Sequence, residues 1–148
     1  ILNYLNEETK AVVVVNHLKV AEQALQFENL SVIMLGGDMI RITNCSSGPV
    51  AEEQLKNYQL DIAFIGAAAI GTDGKLYDGY SQEARLKSSL FLFAKKVYVL
   101  ADSSKINTYD LNEFGSLSQI DGLITDAGID EEGMILMKRH RVNVMIAE

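Results

Sequence analysis

The sequence predicts an α/β fold, a mostly parallel sheet with helices on both faces. Three observations predict it. Short β-branched runs alternate with amphipathic stretches along the chain. The runs are nearly continuous in apolar residues, as in strands covered on both faces. The repeated strand–helix–strand order implies parallel neighbours joined by right-handed crossovers.

The strands are expected at residues 12–15, 32–35, 62–65, 97–100, 123–125 and 142–146. The first is four valines, and β-branched residues suit a pleated, buried surface. Between them the spacing predicts four helices. Residues 18–27 place Leu18, Ala21, Ala24 and Leu25 on one face, with Asn16 as a candidate cap. Residues 50–58 follow Pro49, which suits a first helical position, with Ser47 as a candidate cap. Residues 83–94 carry Leu86, Leu90 and Phe93 behind Ser81, a further candidate cap. Residues 131–140 carry Ile135, Leu136 and Arg139 after Asp130. Met39 to Thr43 form an expected extra short strand within a hairpin, and 66–79 reads as a long Gly-rich connection.

With 148 residues and 48% apolar content, the chain is long enough to bury a core as one domain. Its formal net charge of −7 repels phosphate backbones, so by itself it is a poor nucleic-acid binder. The Lys and Arg residues are scattered apart from Lys138-Arg139-His140-Arg141, read as the last turn of a helix, where cations complement the dipole. Cys45 is the one cysteine, so no intramolecular disulfide forms and a reducing, cytoplasmic setting is expected. ILNYLNEETK has no signal-peptide pattern. The longest uncharged apolar run, 62–70, is far too short to span a bilayer, so no membrane partner is expected. The start at Ile1 rather than Met suggests a piece of something longer.

In open α/β sheets, ligands bind beyond the carboxyl ends of the strands. Successive strand ends are followed by Asn16-His17, Gly36-Gly37-Asp38, Gly66-Ala67, Asp102-Ser103-Ser104-Lys105 and Thr125-Asp126. Each has a local explanation as a turn or cap; together they form a polar rim. In this rim Asp102 holds a sugar hydroxyl or caps the next turn. Ser103 and Ser104 offer hydroxyls and N–H groups, and Lys105 supplies a point charge for a phosphate or carboxylate. Glu83 and Lys87, four apart on one helix face, form either a surface ion pair or part of the rim, with Glu83 as a potential general base.

No GxGxxG, GxxxxGK[ST] or GxSxG segment occurs, and two His and one Cys give no zinc pattern; no cofactor and no metal are expected. The paired acids Glu7-Glu8, Glu52-Glu53 and Glu131-Glu132 read as solvated helix starts or faces. A phosphoacceptor receiver domain wants an acidic pair after its first strand, where this chain has Asn16-His17.

VVVVNHLKVAEQAL, VIMLGGDMI, DIAFIGAAAIGTDGKL, SQEARLKSSLFLFAKKVYVLADSSKI and IDGLITDAGID occur in order. Together they resemble the C-terminal effector-binding domain of DeoR-type transcriptional repressors, most strongly over 12–126, and Asp-Ser-Ser-Lys is the most specific element. The resemblance implies a fold similar to ribose-5-phosphate isomerase, glucosamine-6-phosphate deaminase and CoA transferases. It implies that 1–148 is a sensor domain for a phosphorylated sugar, and that binding modulates operator binding in control of a sugar-utilisation operon. Operator DNA is then bound through a winged helix-turn-helix domain absent from this chain, and the whole protein works as a homo-oligomer. The first strand of the sensor and its phosphate-binding turn are expected upstream, which makes residues 1–5 the end of the helix that follows that turn. Carried over by motif, the ligand-binding residues are Asn16, Gly36, Gly37, Gly66, Glu83, Lys87, Asp102 and Lys105, with no catalytic residue. The alternative is a sugar-phosphate isomerase or deaminase of the same fold, with Glu83 as base.

Overall fold

The computed structural model describes residues 1–6 and 8–147. The chain divides into two compact units, Ile1–Asn57 and Tyr58–Glu148.

The first unit begins with a single 3-10 turn, Leu2–Tyr4, where the end of a longer helix was expected. Strand β1 (Ala11–Val15) pairs in parallel with β2 (Leu30–Met34) across helix α1 (Leu18–Ala24). Helix α1 buries Ala21 and Ala24, but Leu18 and Leu25, expected on the same buried face, are more than half exposed. Its cap is His17, whose Nδ1 accepts from the Lys19 N–H at 3.2 Å, and not Asn16. The Asn16 amide instead donates to the Ser46 carbonyl at 3.0 Å. The hairpin expected within 39–43 forms between β3 (Asp38–Ile40) and β4 (Cys45–Ser47), in antiparallel register.

Helix α2 (Pro49–Leu55) starts on Gly48, whose φ of 87° no capping serine readily adopts. Ser47 is therefore the last residue of β4 rather than the cap. It is fully buried, and its hydroxyl has no hydrogen-bond partner among the described residues. Of the paired acids, Glu52 lies in the first turn of α2, Glu8 lies in a turn rather than at a helix start, and Glu7 lies outside the described residues.

The second unit carries a four-stranded parallel sheet from β5 (Ala63–Gly66), β8 (Val97–Leu100), β10 (Gly122–Thr125) and β11 (Asn143–Ile146), in the order β11-β10-β8-β5. The remaining strands, β6 (Ala69–Ile70), β7 (Lys75–Asp78) and β9 (Asn112–Ser116), form a separate three-stranded antiparallel sheet. Two of these occupy the segment read as a Gly-rich connection. Strands as short as Ala-Ile and Lys-Leu-Tyr-Asp carry too few residues for a period-2 signal.

Helix α3 (Ser81–Phe93) is preceded by Tyr80 as its cap residue, so Ser81 is inside the helix rather than capping it. Helix α4 (Glu131–Arg139) is capped by Asp130, which accepts from the Gly133 N–H at 2.7 Å. The 138–141 cluster closes that helix as the dipole argument requires, with Lys138 and Arg139 in its last turn.

The core of the second unit lies on one face of the parallel sheet. Ile65, Val97, Val99 and Leu123 are joined there by Ala84 of α3 and by Leu136 and Met137 of α4. Burial alternates along β5 and β8 despite their continuous apolar runs. The opposite face carries Phe64 stacked on Tyr98 at 5.7 Å, with Phe64 43% exposed. Leu123 is fully buried at the centre of the packed face. Leu123→Ala is expected to lower unfolding free energy by about 2–5 kcal/mol in urea titration, with little change in the denaturant slope.

Candidate functional site

Strands β8 and β10 are parallel neighbours, so their carboxyl ends emerge together. After β8, Ser103–Lys105 form a 3-10 turn capped by Asp102, whose Oδ1 accepts from the Ser104 N–H at 3.0 Å and from the Ser104 hydroxyl. Of the two roles open to Asp102, the cap is the one present. After β10, Asp126 reaches across to the same turn. Its carboxylate accepts the Ser103 N–H at 2.7 Å and the Ser103 hydroxyl at 2.9 Å, and it also accepts the Gly128 N–H at 2.8 Å. The Ser103 N–H first, then the Gly128 N–H and the Ser103 hydroxyl, hold the Asp126 carboxyl below its ordinary range.

This changes the reading of the motif. The N–H groups and hydroxyls of Ser103 and Ser104, expected to face a ligand, are instead taken up by the Asp126 and Asp102 carboxylates. Lys105 is different: its ammonium has no ion-pair partner among the described residues. The sequence placed Asp126 on the rim but not as the clamp of the turn. Its register opposite β8 was the signal that pairing alone reveals. Gly66 ends β5 opposite Leu100 of β8, and the Ala67 N–H donates to the Leu100 carbonyl at 3.3 Å. Gly66 and the Asp102–Lys105 turn thus follow neighbouring strands.

Glu83 and Lys87 occupy a different environment. Lys87 is paired with Asp78 of β7, lies 4.0 Å from Glu83, and sits over the Phe114 ring at 5.6 Å. The side chains of Asp78 and Glu83 are 7% and 6% exposed and that of Lys87 is 18% exposed, so this is a buried charge cluster rather than a surface ion pair. The Tyr80 N–H donates to Asp78 at 2.9 Å. Sequence reasoning missed Asp78 because it lies in a strand that was itself missed. Asn16, Gly36 and Gly37 belong to the first unit. The Gly36 N–H donates to Gln54 Oε1 at 2.7 Å. Gly37, at φ 119°, lies so close to the hairpin that a Cβ would come within 2.3 Å of the Ser47 carbonyl oxygen. Among the described residues no group of His, Cys, Asp and Glu is placed to hold a metal ion, and no helix is long and apolar enough to cross a membrane.

The model of the DeoR C terminal sensor domain matches residues 1–127. The chain belongs to this family. Among its relatives are a "Putative aga operon transcriptional repressor" of Escherichia coli O157:H7, 29% identical over 99% of this chain and 54% of the relative. The "HTH-type transcriptional regulator GlpR" of Haloferax volcanii is 33% identical over 73% of this chain and 42% of the relative. The "Glycerol-3-phosphate regulon repressor" of Escherichia coli K12 is 25% identical over 89% and 52%. This DeoR sensor chain therefore spans about half the length of the curated relatives it matches.

Three outcomes follow from the geometry. Because the folded value of Asp126 is lowered, its contribution to stability is fully present above the unfolded value of 3.8 and is lost as pH falls through the lower folded value. Asp126→Asn is expected to remove that share of the acid loss below about pH 4. Ser103→Ala is expected to move the Asp126 carboxyl part of the way back up in a carbon-13 NMR titration; an unmoved titration contradicts the hydroxyl's role. Lys87→Ala is expected to cost roughly 3 kcal/mol in chemical unfolding, because it leaves Asp78 and Glu83 buried without their shared cation.

Proposed function

We propose that the chain senses a phosphorylated sugar, and that occupancy modulates operator binding by a DNA-binding domain in the rest of the protein. The observation that carries this reading is Lys105. It is an ammonium without an ion-pair partner among the described residues, on a turn held by Asp102 and Asp126 at the carboxyl ends of parallel strands, in a chain of net charge −7. A single positioned cation in an acidic surrounding selects a small anion over a polyanion such as DNA. Gly66 ends the neighbouring strand, where an added Cβ would meet only the Leu100 carbonyl oxygen, at 4.0 Å. The relatives named for glycerol 3-phosphate point to the same ligand chemistry, a phosphate ester on a polyol.

In this reading Lys105 takes the phosphate and Asp102, beyond its cap, orients hydroxyls. A role for Asn16, Gly36, Gly37, Glu83 and Lys87 in binding rests on the family resemblance, while their contacts here are structural. The wider protein, in this proposal, carries the winged helix-turn-helix and the first sensor strand, is a homo-oligomer, and acts in the cytoplasm on a sugar-utilisation operon.

Thermal unfolding against a panel of sugar phosphates, with free sugars and inorganic phosphate as controls, tests it. At 100 times Kd a ligand adds about 2.7 kcal/mol, a shift of several degrees. Lys105→Ala is expected to weaken binding by about 1–3 kcal/mol and to leave unliganded stability unchanged. An unfolded Lys105→Ala protein, or one with intact ligand affinity, overturns the assignment of Lys105. No stabilisation by any phosphate ester in the panel overturns the ligand class.

A further inference from the structure

Helix α4 carries an exposed stripe beside an open sheet edge. Glu131, Met134, Ile135 and Lys138 recur at i, i+3, i+4 and i+7, the spacing of a single helix face. Met134 is 44% and Ile135 50% exposed, although the sequence pattern placed Ile135 with the buried Leu136. The stripe borders an open groove whose other wall is the start of β11, Asn143 and Val144. Strand β11 is the terminal strand of its sheet, so its outward N–H and C=O groups have no ladder partner among the described residues. An unpaired edge flanked by exposed apolar side chains is a template for strand addition.

The charges along the stripe select the occupant. Its amino-terminal end is acidic and its carboxyl-terminal end basic, with the apolar pair between. Neither Glu131 nor Lys138 has an ion-pair partner among the described residues. A partner of uniform charge meets repulsion at one end or the other. A second copy related by a two-fold axis normal to the sheet does not. About such an axis the two β11 strands run antiparallel, as do the two α4 helices. The midpoint of the stripe falls between Met134 and Ile135. With the axis passing through that midpoint, Glu131 of one copy would face Lys138 of the other and Met134 would face Ile135, each contact occurring twice. The pattern is self-complementary, as an isologous interface requires.

We propose that the α4–β11 edge is the interface for a second copy of this chain, in a dimer whose sheet continues from one β11 into the other. Sedimentation velocity on the 148-residue chain across micromolar concentrations tests it, and circular dichroism confirms that each variant is folded. Wild type is expected to dimerise. Glu131→Lys alone and Lys138→Glu alone each place like charges at both ends of the interface and are expected to weaken dimerisation about tenfold or more. An equimolar mixture of these two variants restores opposite charges at both ends. It is expected to sediment as a dimer at a concentration where each variant alone is monomeric. A monomeric wild type, single variants that dimerise like wild type, or a mixture that stays monomeric overturns the proposal.

Discussion

The second unit's offer to a ligand depends on the parallel register of β8 against β10. Val99 lies opposite Leu123 and Leu100 opposite Ile124, and the buried pair Val99 and Leu123 holds the two strands in that register. Parallel pairing sends both chains out of the sheet at the same end. A one-residue slip would turn Leu123 to the half-open face and carry Asp126 away from Ser103. The hydrogen bonds from Ser103 to Asp126 therefore exist because the apolar face of the sheet is packed, and the turn bearing Lys105 is ordered because those bonds exist.

The same unit places charge where water is scarce. Asp78, Glu83 and Lys87 come from a short antiparallel strand and the helix that follows it, and they share one cation between two carboxylates. The Tyr80 N–H supplies further compensation to Asp78, and the Phe114 ring presents its face to Lys87. Phe114 also stacks on Phe91 at 6.4 Å, tying β9 to α3. Charges arranged in this way cost desolvation energy, and removing any one of them leaves another buried without its full compensation. Lys87 and Lys105 are thus different kinds of lysine: one is committed to the fold, while the other has no ion-pair partner among the described residues.

In the first unit the comparable device is neutral. The Ser46 N–H donates to the Asn16 carbonyl at 2.7 Å, and the Ser46 hydroxyl donates to the Leu35 carbonyl at 2.5 Å. Two strand ends, at Asn16 and Leu35, are stitched to one hairpin through a single buried serine. The polar residues that follow β1 and β2 are, by their contacts, the means by which the hairpin is attached.

By itself the sequence determined the α/β class, six parallel-type strands, four helices to within a few residues, and the family. These rest on local signals: β-branched runs, helical periodicity, Pro49 at a helix start, Asp130 as a cap, and ordered motifs. Tertiary structure alone decided the antiparallel sheet of β6, β7 and β9, whose strands are too short and too polar to show a period. It decided that His17 rather than Asn16 caps α1, because the Asn16 amide is engaged by Ser46. It decided that the serines of Asp-Ser-Ser-Lys bond to Asp102 and Asp126 while Lys105 has no ion-pair partner among the described residues, and that Lys87 is held by Asp78. In each case the deciding partner lies on another element, and hydrogen bonding and burial between distant elements leave no trace in local spacing.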